Sequence, residues 1–445
     1  MKRRGRVVAL LLAAGAAASA VAVAATDAAP NAASAAAALV RSVDVPAADC
    51  HVAGIRNGVL CGSVQRPLDP ADPGGAKITI RYVVVPAMAR RKMPDPVFLL
   101  AGGPGQSAIT LAATAMPLFS RLNNRRDIVF VDQRGTGLSA PLQCQDAEHE
   151  TLAEQADPER QLRLTLACKE QLLKLPWIRN ERDLGFFTTA IAVQDLDAVR
   201  LAIGAERIDL VGASYGTRVG LEYLRQFPAA VRRSVLDGAA PPDMVLPASF
   251  STDNQAAFDA VVAACSGEPT CARQHPDLRA RFTALLASLP RPAEAPHPLT
   301  GRPERFLLSR DLVLGAIRGA LYSPAVAAAL PQAIDDAAQG RLEGLIGLSA
   351  MLSARKSTRL AAGMHLSVIC AEDVPRLSSS VDAAGADFDD QFGRFYFRLC
   401  AAWPRGAVPE AFYRIPPGRS PVLVLSGGLD PATPPRHGER VARAL

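Results

Sequence analysis

Ser214 stands at the centre of Gly212-Ala213-Ser214-Tyr215-Gly216, directly after the apolar, β-branched run 208–211. A serine hydroxyl is a weak nucleophile unless it is presented sharply and deprotonated by a neighbour. A small-x-Ser-x-small turn between a strand and a helix meets the first requirement. Gly212 and Gly216 lack the Cβ atoms that would clash in so tight a turn, and a helix beginning after Ser214 points its positive end at a developing oxyanion. A second glycine turn, Ala101-Gly102-Gly103-Pro104-Gly105-Gln106, follows another buried-strand pattern. The main-chain N–H groups of Gly103 and Tyr215 are therefore the expected oxyanion donors, each worth about 3 kcal/mol in an acyl-transfer transition state. Asp430, in Ser426-Gly427-Gly428-Leu429-Asp430-Pro431, follows the run 422–425. A carboxylate there can orient a histidine and stabilise its imidazolium. The plain alternatives are glycine turns without chemistry and, for Asp430, a turn cap ahead of Pro434 and Pro435.

Those residues need a scaffold of strands and helices. Runs 78–85, 97–100, 128–131, 208–211, 234–236 and 422–425 are short, β-branched and bounded by polar or turn residues, the pattern of buried strands. Helical periodicity is clearest over 189–203, where Ile191, Leu196, Val199 and Ile203 share a face, and over 217–226. Alternating strand and helix predicts an α/β fold with a mainly parallel sheet covered on both faces. The alternation breaks between 241 and 417, an Ala/Leu-rich helical stretch read as an inserted cap with few convincing strands.

The chain of 445 residues is 49% apolar and 21% charged, enough to bury a large core. Lys2, Arg3, Arg4 and Arg6 precede an almost uncharged Val/Leu/Ala run from residue 7 to 25, the pattern of an export signal. The competing reading is an uncleaved membrane anchor. Without those four charges the formal net charge of +6 falls close to neutral, which gives no support for binding nucleic acid or a polybasic attachment to membranes. Eight cysteines follow the signal without the spacing of a zinc site. In an oxidising compartment they are expected as disulfides, with the four successive pairs closing short loops. The predicted organisation is a signal over 1–25, a flexible leader over 26–46, the first part of the α/β core over 47–240, the cap over 241–417 and the rest of the core over 418–445.

Taken together, Gly102-Gly103-Pro104-Gly105, Asp132-Gln133-Arg134-Gly135-Thr136-Gly137-Leu138-Ser139, the pentapeptide at Ser214 and Gly428-Leu429-Asp430-Pro431-Ala432-Thr433-Pro434-Pro435 resemble the tripeptidyl-aminopeptidase-like and proline-iminopeptidase-like branch of the α/β-hydrolases. Cys370-Ala371-Glu372-Asp373 looks like the cap signature of its secreted members. The resemblance implies the α/β-hydrolase fold and an exopeptidase acting at free amino termini, which needs an acidic anchor for the substrate ammonium. Glu372, with Asp373, is the candidate, against a helix cap or salt bridge beside a disulfide. Ala101 stands where proline iminopeptidases carry His, so strict proline specificity is not implied.

The same resemblance places the general-base histidine a strand and a loop beyond the acid. Only His437 follows Asp430, too soon for a strand and helix to intervene, and it is read as a first-turn surface residue. His51, His149, His275, His297 and His365 precede the acid and are read as structural. The expectation is that the C-terminal strand and helix are missing and that the natural chain continues past Leu445 to a Gly-His pair. The readings carried forward are an exported serine aminopeptidase, secreted or periplasmic, acting on peptide substrates; a carboxylesterase or lipase on the same fold; and a catalytically inactive binding protein. No cofactor or metal is called for, since acyl transfer to serine and then to water needs none. No stable membrane association is expected once the signal is cleaved.

Overall fold

The computed structural model describes residues 45–144, 150–353 and 360–445. The expected signal, most of the leader and His149 lie outside the described residues. Among the described residues there are ten strands: β1 (Val45–Cys50), β2 (Val59–Pro67), β3 (Lys77–Val85), β4 (Val97–Leu100), β5 (Ile128–Val131), β6 (Ile208–Ala213), β7 (Val231–Asp237), β8 (Arg291–Pro296), β9 (Pro303–Leu308) and β10 (Val422–Leu425). The principal helices are labelled α1 (Ala108–Asn123), α2 (Thr189–Ala202), α3 (Tyr215–Gln226), α4 (Leu246–Gly267), α5 (Arg310–Leu321), α6 (Gln391–Ala401) and α7 (Pro435–Ala444).

Eight strands form one sheet in the order β1-β2-β3-β5-β4-β6-β7-β10. The pairs from β1 to β5 are antiparallel, and those from β5 through β4, β6 and β7 to β10 are parallel. β4 and β5 are apolar throughout because both of their faces are covered. Phe98, Leu100, Leu210 and Leu236 face one side, against Leu196 and Val199 of α2, Val219 and Tyr223 of α3, and Val441 of α7. Val97, Ile128 and Phe130 face the other, against Ala108, Ala112 and Phe119 of α1. At the β10 edge the covering thins, and Leu423 and Leu425 are 54% and 43% exposed.

A second apolar core forms around Phe258, Phe282, Leu314, Ile317 and Ile334, within the stretch read as a cap. It contains the antiparallel hairpin β8–β9, which the sequence does not announce because Arg291-Pro292-Ala293-Glu294-Ala295-Pro296 carries two prolines and little β-branching. Leu152, from the stretch assigned to the first part of the α/β core, joins this second core, and its N–H donates to Glu304 Oε2 at 2.7 Å. The 22-residue α4 joins the two cores, with Leu246 in the sheet's core and Phe258 and Cys265 in the other.

All four successive cysteine pairs are bonded: Cys50–Cys61, Cys144–Cys168, Cys265–Cys271 and Cys370–Cys400. β1 begins at Val45, just inside the segment read as leader. His437 requires a correction. It is fully buried in the first turn of α7, where Nε2 lies 2.8 Å from Asp253 Oδ2 of α4 and the neighbouring Arg436 Nε donates to the other oxygen. A carboxylate far away in sequence draws the ring inward.

The loop after β5 is held by a buried ion pair. Arg134 donates from Nε and Nη2 to the two oxygens of Asp195 at 2.6 and 2.9 Å, and from Nη1 to the carbonyls of Leu68 and Phe186. Both side chains are 1% exposed. Replacing Arg134 with Met strands a buried carboxylate, with only the more exposed Arg66 left beside it, and takes a donor from three carbonyls. The expected loss of stability is about 3–5 kcal/mol, read from urea unfolding of both proteins.

Candidate active site

Leaving β4, the chain crosses to β5 on one side, and later returns to β6 on the other side of β4. Loops that diverge in this way from the C-terminal ends of parallel strands leave a crevice between them, where ligands bind in open α/β sheets. The turn after β4 carries Gly102 and Gly103, and the turn after β6 carries Ser214. The topology therefore brings together two of the motifs that the sequence singles out.

Ser214 adopts φ 55° and ψ −126°, a conformation that an L-residue takes at a cost of about 1–3 kcal/mol. Main-chain bonds hold it there. Its N–H donates to Asp237 O at 2.9 Å, and its carbonyl accepts from Thr217 N at 2.9 Å and Thr217 Oγ1 at 2.7 Å. The flanking glycines are steric necessities: a Cβ on Gly216 would lie 2.0 Å from Leu100 O, and one on Gly212 2.5 Å from Gly216 O. Ser214 is exposed, and its hydroxyl bonds to no other described residue.

Across the crevice, a Cβ on Gly102 would sit 3.3 Å from Ser214 Cβ, so the two turns touch. Gly103 has φ 112°. Among the described residues, nothing accepts a hydrogen bond from the N–H of Gly103 or of Tyr215, which opens α3. Two free N–H groups beside an exposed hydroxyl can receive the oxygen of a tetrahedral intermediate. Asp132 braces the turn from behind, its Oδ1 accepting from Ser107 Oγ at 2.6 Å and Ile109 N at 3.1 Å, and its Oδ2 from Leu138 N at 2.9 Å. Burial raises its pKa against these bonds.

Asp430 follows β10, the neighbour of β7. Oδ1 accepts from the N–H of Ala432 and of Thr433, and Oδ2 from Thr433 Oγ1 at 2.8 Å. Oδ2 also stands 3.5 Å from where a Cβ on Gly238 would be. Ser214 and Asp430 thus flank the Asp237–Gly238 segment at the end of β7. None of His51, His275, His297, His365 and His437 bonds to either. His275 lies 2.7 Å from Asp335, and His297 Nε2 lies 3.1 Å from Glu150 O.

Glu372 and Asp373 occupy a short π-helical stretch, Ile369–Asp373, and both are sealed from solvent. Glu372 Oε1 accepts from Thr189 N at 2.7 Å and Oε2 from Thr189 Oγ1 at 3.0 Å, while Thr189 Oγ1 also lies 2.6 Å from the Tyr215 hydroxyl. Arg218 of α3 spans both carboxylates, and Asp373 Oδ1 takes Leu246 N as well. Burial pushes the pKa of Glu372 up to about 7 from 4.5, against the pull of Arg218 and with the push of Asp373. The structure places these acids behind Tyr215, where a substrate ammonium would have to displace Arg218 or Thr189 to touch them.

His365, read from sequence as structural, sits directly behind the oxyanion turn. Nδ1 lies 3.1 Å from Pro104 O and Nε2 2.7 Å from the Tyr396 hydroxyl. Burial lowers its pKa, so the neutral ring donates from Nδ1 to the carbonyl and accepts at Nε2 from the phenol. No spacing in the sequence ties His365 to Pro104, 261 residues away. Among the described residues, no group of three or more His, Cys, Asp or Glu side chains could hold a metal ion.

Comparison with known proteins adds context to this geometry. Residues 95–268 match the family described as alpha/beta hydrolase fold, and residues 387–445 match the one described as TAP-like protein. The chain is similar to serine protease Hip1 of Mycobacterium tuberculosis, 28% identical over 420 residues that cover 88% of this chain and 80% of that protein. It is 30% identical to tripeptidyl aminopeptidase of Streptomyces coelicolor over 192 residues, 41% of this chain and 36% of the relative. Similarity to carboxylesterase B of Mycobacterium tuberculosis is 29% over 419 residues, covering 86% and 78%.

The raised pKa of Glu372 has a measurable consequence. Its folded-state value lies above the unfolded one, so its contribution to stability is whole below about pH 4.5 and is lost as pH rises through about 7. Glu372→Gln removes the titration while keeping an acceptor for Thr189 N. Wild-type melting temperature is expected to fall from pH 5 to pH 8 by more than that of the variant, followed by circular dichroism.

Proposed function

We propose that this chain, a serine hydrolase with the α/β-hydrolase fold, is an exported aminopeptidase that releases short peptides or single residues from free amino termini through an acyl-enzyme on Ser214. The observation that carries the proposal is the crevice itself, in which a strained, exposed serine faces two unpartnered N–H groups. In this reading Ser214 Oγ attacks the scissile carbonyl. The N–H groups of Gly103 and Tyr215 hold the oxyanion; its collapse breaks the C–N bond, the departing amine takes the proton that the general base drew from Ser214, and water then hydrolyses the ester to a carboxylic acid and the free serine. Asp430, fixed by Thr433 and its own turn, orients the general-base histidine. That histidine is sought outside the described residues, since no described one contacts Ser214 or Asp430.

The ammonium anchor is proposed in a narrower form than the motif alone suggests. Arg218 carries one positive charge against two carboxylates, so the cluster behind Tyr215 has a surplus negative charge once Glu372 is ionised, above about pH 7. That surplus favours an ammonium in the cleft through space, without a direct hydrogen bond. Four disulfides and the basic-then-apolar amino terminus support export. Among the described residues, no helix is long and apolar enough to cross a membrane.

A carboxylesterase is the second reading, and what favours it is that both candidate anchor carboxylates are closed to solvent. Peptide para-nitroanilides with free and acetylated amino termini, together with short-chain para-nitrophenyl esters, separate the two. Faster cleavage of the free peptides, lost in Ser214→Ala, is expected. Preference for the blocked peptides, or turnover of esters alone, would refute the aminopeptidase.

A further inference from the structure

We propose that the end of the sheet opposite the crevice carries a reversible docking surface for a bilayer with anionic headgroups, formed by the loop 86–94 and the last turns of α1. The fold brings these two segments together. Met88 N donates to Asn123 O and Ala89 N to Asn124 O, both at 3.0 Å, and Met93 N donates to Arg125 O at 2.7 Å. The buried side chain of Asn123 adds bonds to the carbonyls of Val85 and Pro86. Loop and helix end are therefore one surface, although β4 and most of α1 separate them in sequence.

That surface has a surplus of positive charge. Residues 86–94 and 108–126 contain Arg90, Arg91, Lys92, Arg121, Arg125 and Arg126 and no acid. Acids just outside these segments neutralise two of the six, Lys92 pairing with Asp127 and Arg126 with Asp95. Asp127 also accepts from Ala87 N and so pins the loop. Arg90, Arg91, Arg121 and Arg125 are exposed and pair with no described carboxylate. One unpaired surface arginine is unremarked by any partner; four on two adjoining segments without an acid make a local field that a near-neutral chain conceals. The dipole of α1 accounts for cations at its C-terminal end, Arg121 and Arg125, but not for Arg90 and Arg91.

Apolar side chains interleave with these cations. Leu118, Met88 and Leu122 are 85%, 64% and 44% exposed. Leu118, Arg121 and Leu122 lie at i, i+3 and i+4 on α1, and Met88 is on the loop bonded to Asn123. Single exposed leucines are ordinary. Apolar groups set among arginines fit the boundary between headgroups and acyl chains, where cations meet phosphates and apolar side chains sink below them. A soluble polyanion would leave the leucines without a role. The placement also suits a hydrolase: β4 leads from this loop to the turn of Gly102 and Gly103, and α1 runs back from the crevice for about 24 Å over its 16 residues. A molecule seated by this end keeps the crevice at the far end, whichever substrate the crevice takes.

The test is flotation of the exported protein with vesicles of phosphatidylcholine alone, and of phosphatidylcholine and phosphatidylglycerol in equal parts. Wild type and variants share one amino terminus, so their difference reports on the patch. Binding to the anionic vesicles only, weakening as salt is raised, is expected. Each arginine at such a surface contributes about fivefold. Arg90→Gln with Arg91→Gln, and separately Arg121→Gln with Arg125→Gln, should therefore each weaken binding on the order of 25-fold at unchanged melting temperature; either pair serves if the other does not fold. Leu118→Asn should weaken binding and leave its salt dependence as it was. Absence of binding to anionic vesicles, equal binding to neutral ones, or binding that both arginine pairs leave unchanged overturns the proposal. Binding that depends on the arginines but not on Leu118 assigns the patch to a soluble polyanion and overturns the bilayer as its partner.

Discussion

The conformation of Ser214 is the constraint around which the rest of the fold is arranged. A serine at φ 55° is strained, and the surroundings must overdetermine it. Asp237 O on one side and Thr217 on the other do so, and they can because β6 and β7 are parallel neighbours in register, with Ala213 opposite Asp237. The same packing leaves no room for side chains at Gly212 and Gly216, and it brings Gly102 against Ser214. Strand order, glycine placement and the exposed hydroxyl are thus one geometrical solution: two loops diverge from adjacent strand ends, and the backbone alone fills the gap.

Much of that solution could be read in advance because it depends on local sequence. The runs 97–100, 128–131 and 422–425 coincide with β4, β5 and β10, since short β-branched segments between turn residues have little else to become. Glycine turns are equally legible, because only glycine permits such close backbone approach. β1 and β2 carry no such signal: Val45-Pro46-Ala47-Ala48-Asp49-Cys50 contains a proline, and Val59–Pro67 is broken by Gly62 and mixed polar residues. Helix α3 begins at Tyr215, two residues before the periodicity over 217–226 is clear, because its first turn is occupied by the nucleophile motif.

What remained hidden depends on contacts between distant parts of the chain. His437 has an exposed-looking position in its own helix and is buried only because Asp253 waits on α4. Glu372 reads either as a cleft-facing acid or as a helix cap or salt bridge beside a disulfide, and only Thr189 and Arg218, 183 and 154 residues away, show which groups it meets. Burial of a charged side chain is decided by its partner, and sequence spacing contains no term for a partner that far off.

One stretch, 361–373, reaches behind both expected oxyanion donors. Ala361 N donates to Gly105 O and His365 holds Pro104 O, bracing the turn that carries the N–H of Gly103. Glu372 holds Thr189, which bonds the phenol of Tyr215 and so steadies the residue whose N–H is the other donor. A helix from Ala362 to Val368 runs directly into the π-helical turn Ile369–Asp373, whose wider spacing turns Glu372 and Asp373 together toward Arg218. The Cys370–Cys400 bond then ties this stretch to α6, the helix that presents Phe392 and Tyr396. One continuous segment thus braces both expected donor turns and is tied by the disulfide to α6, so a displacement of this segment would move the two turns together.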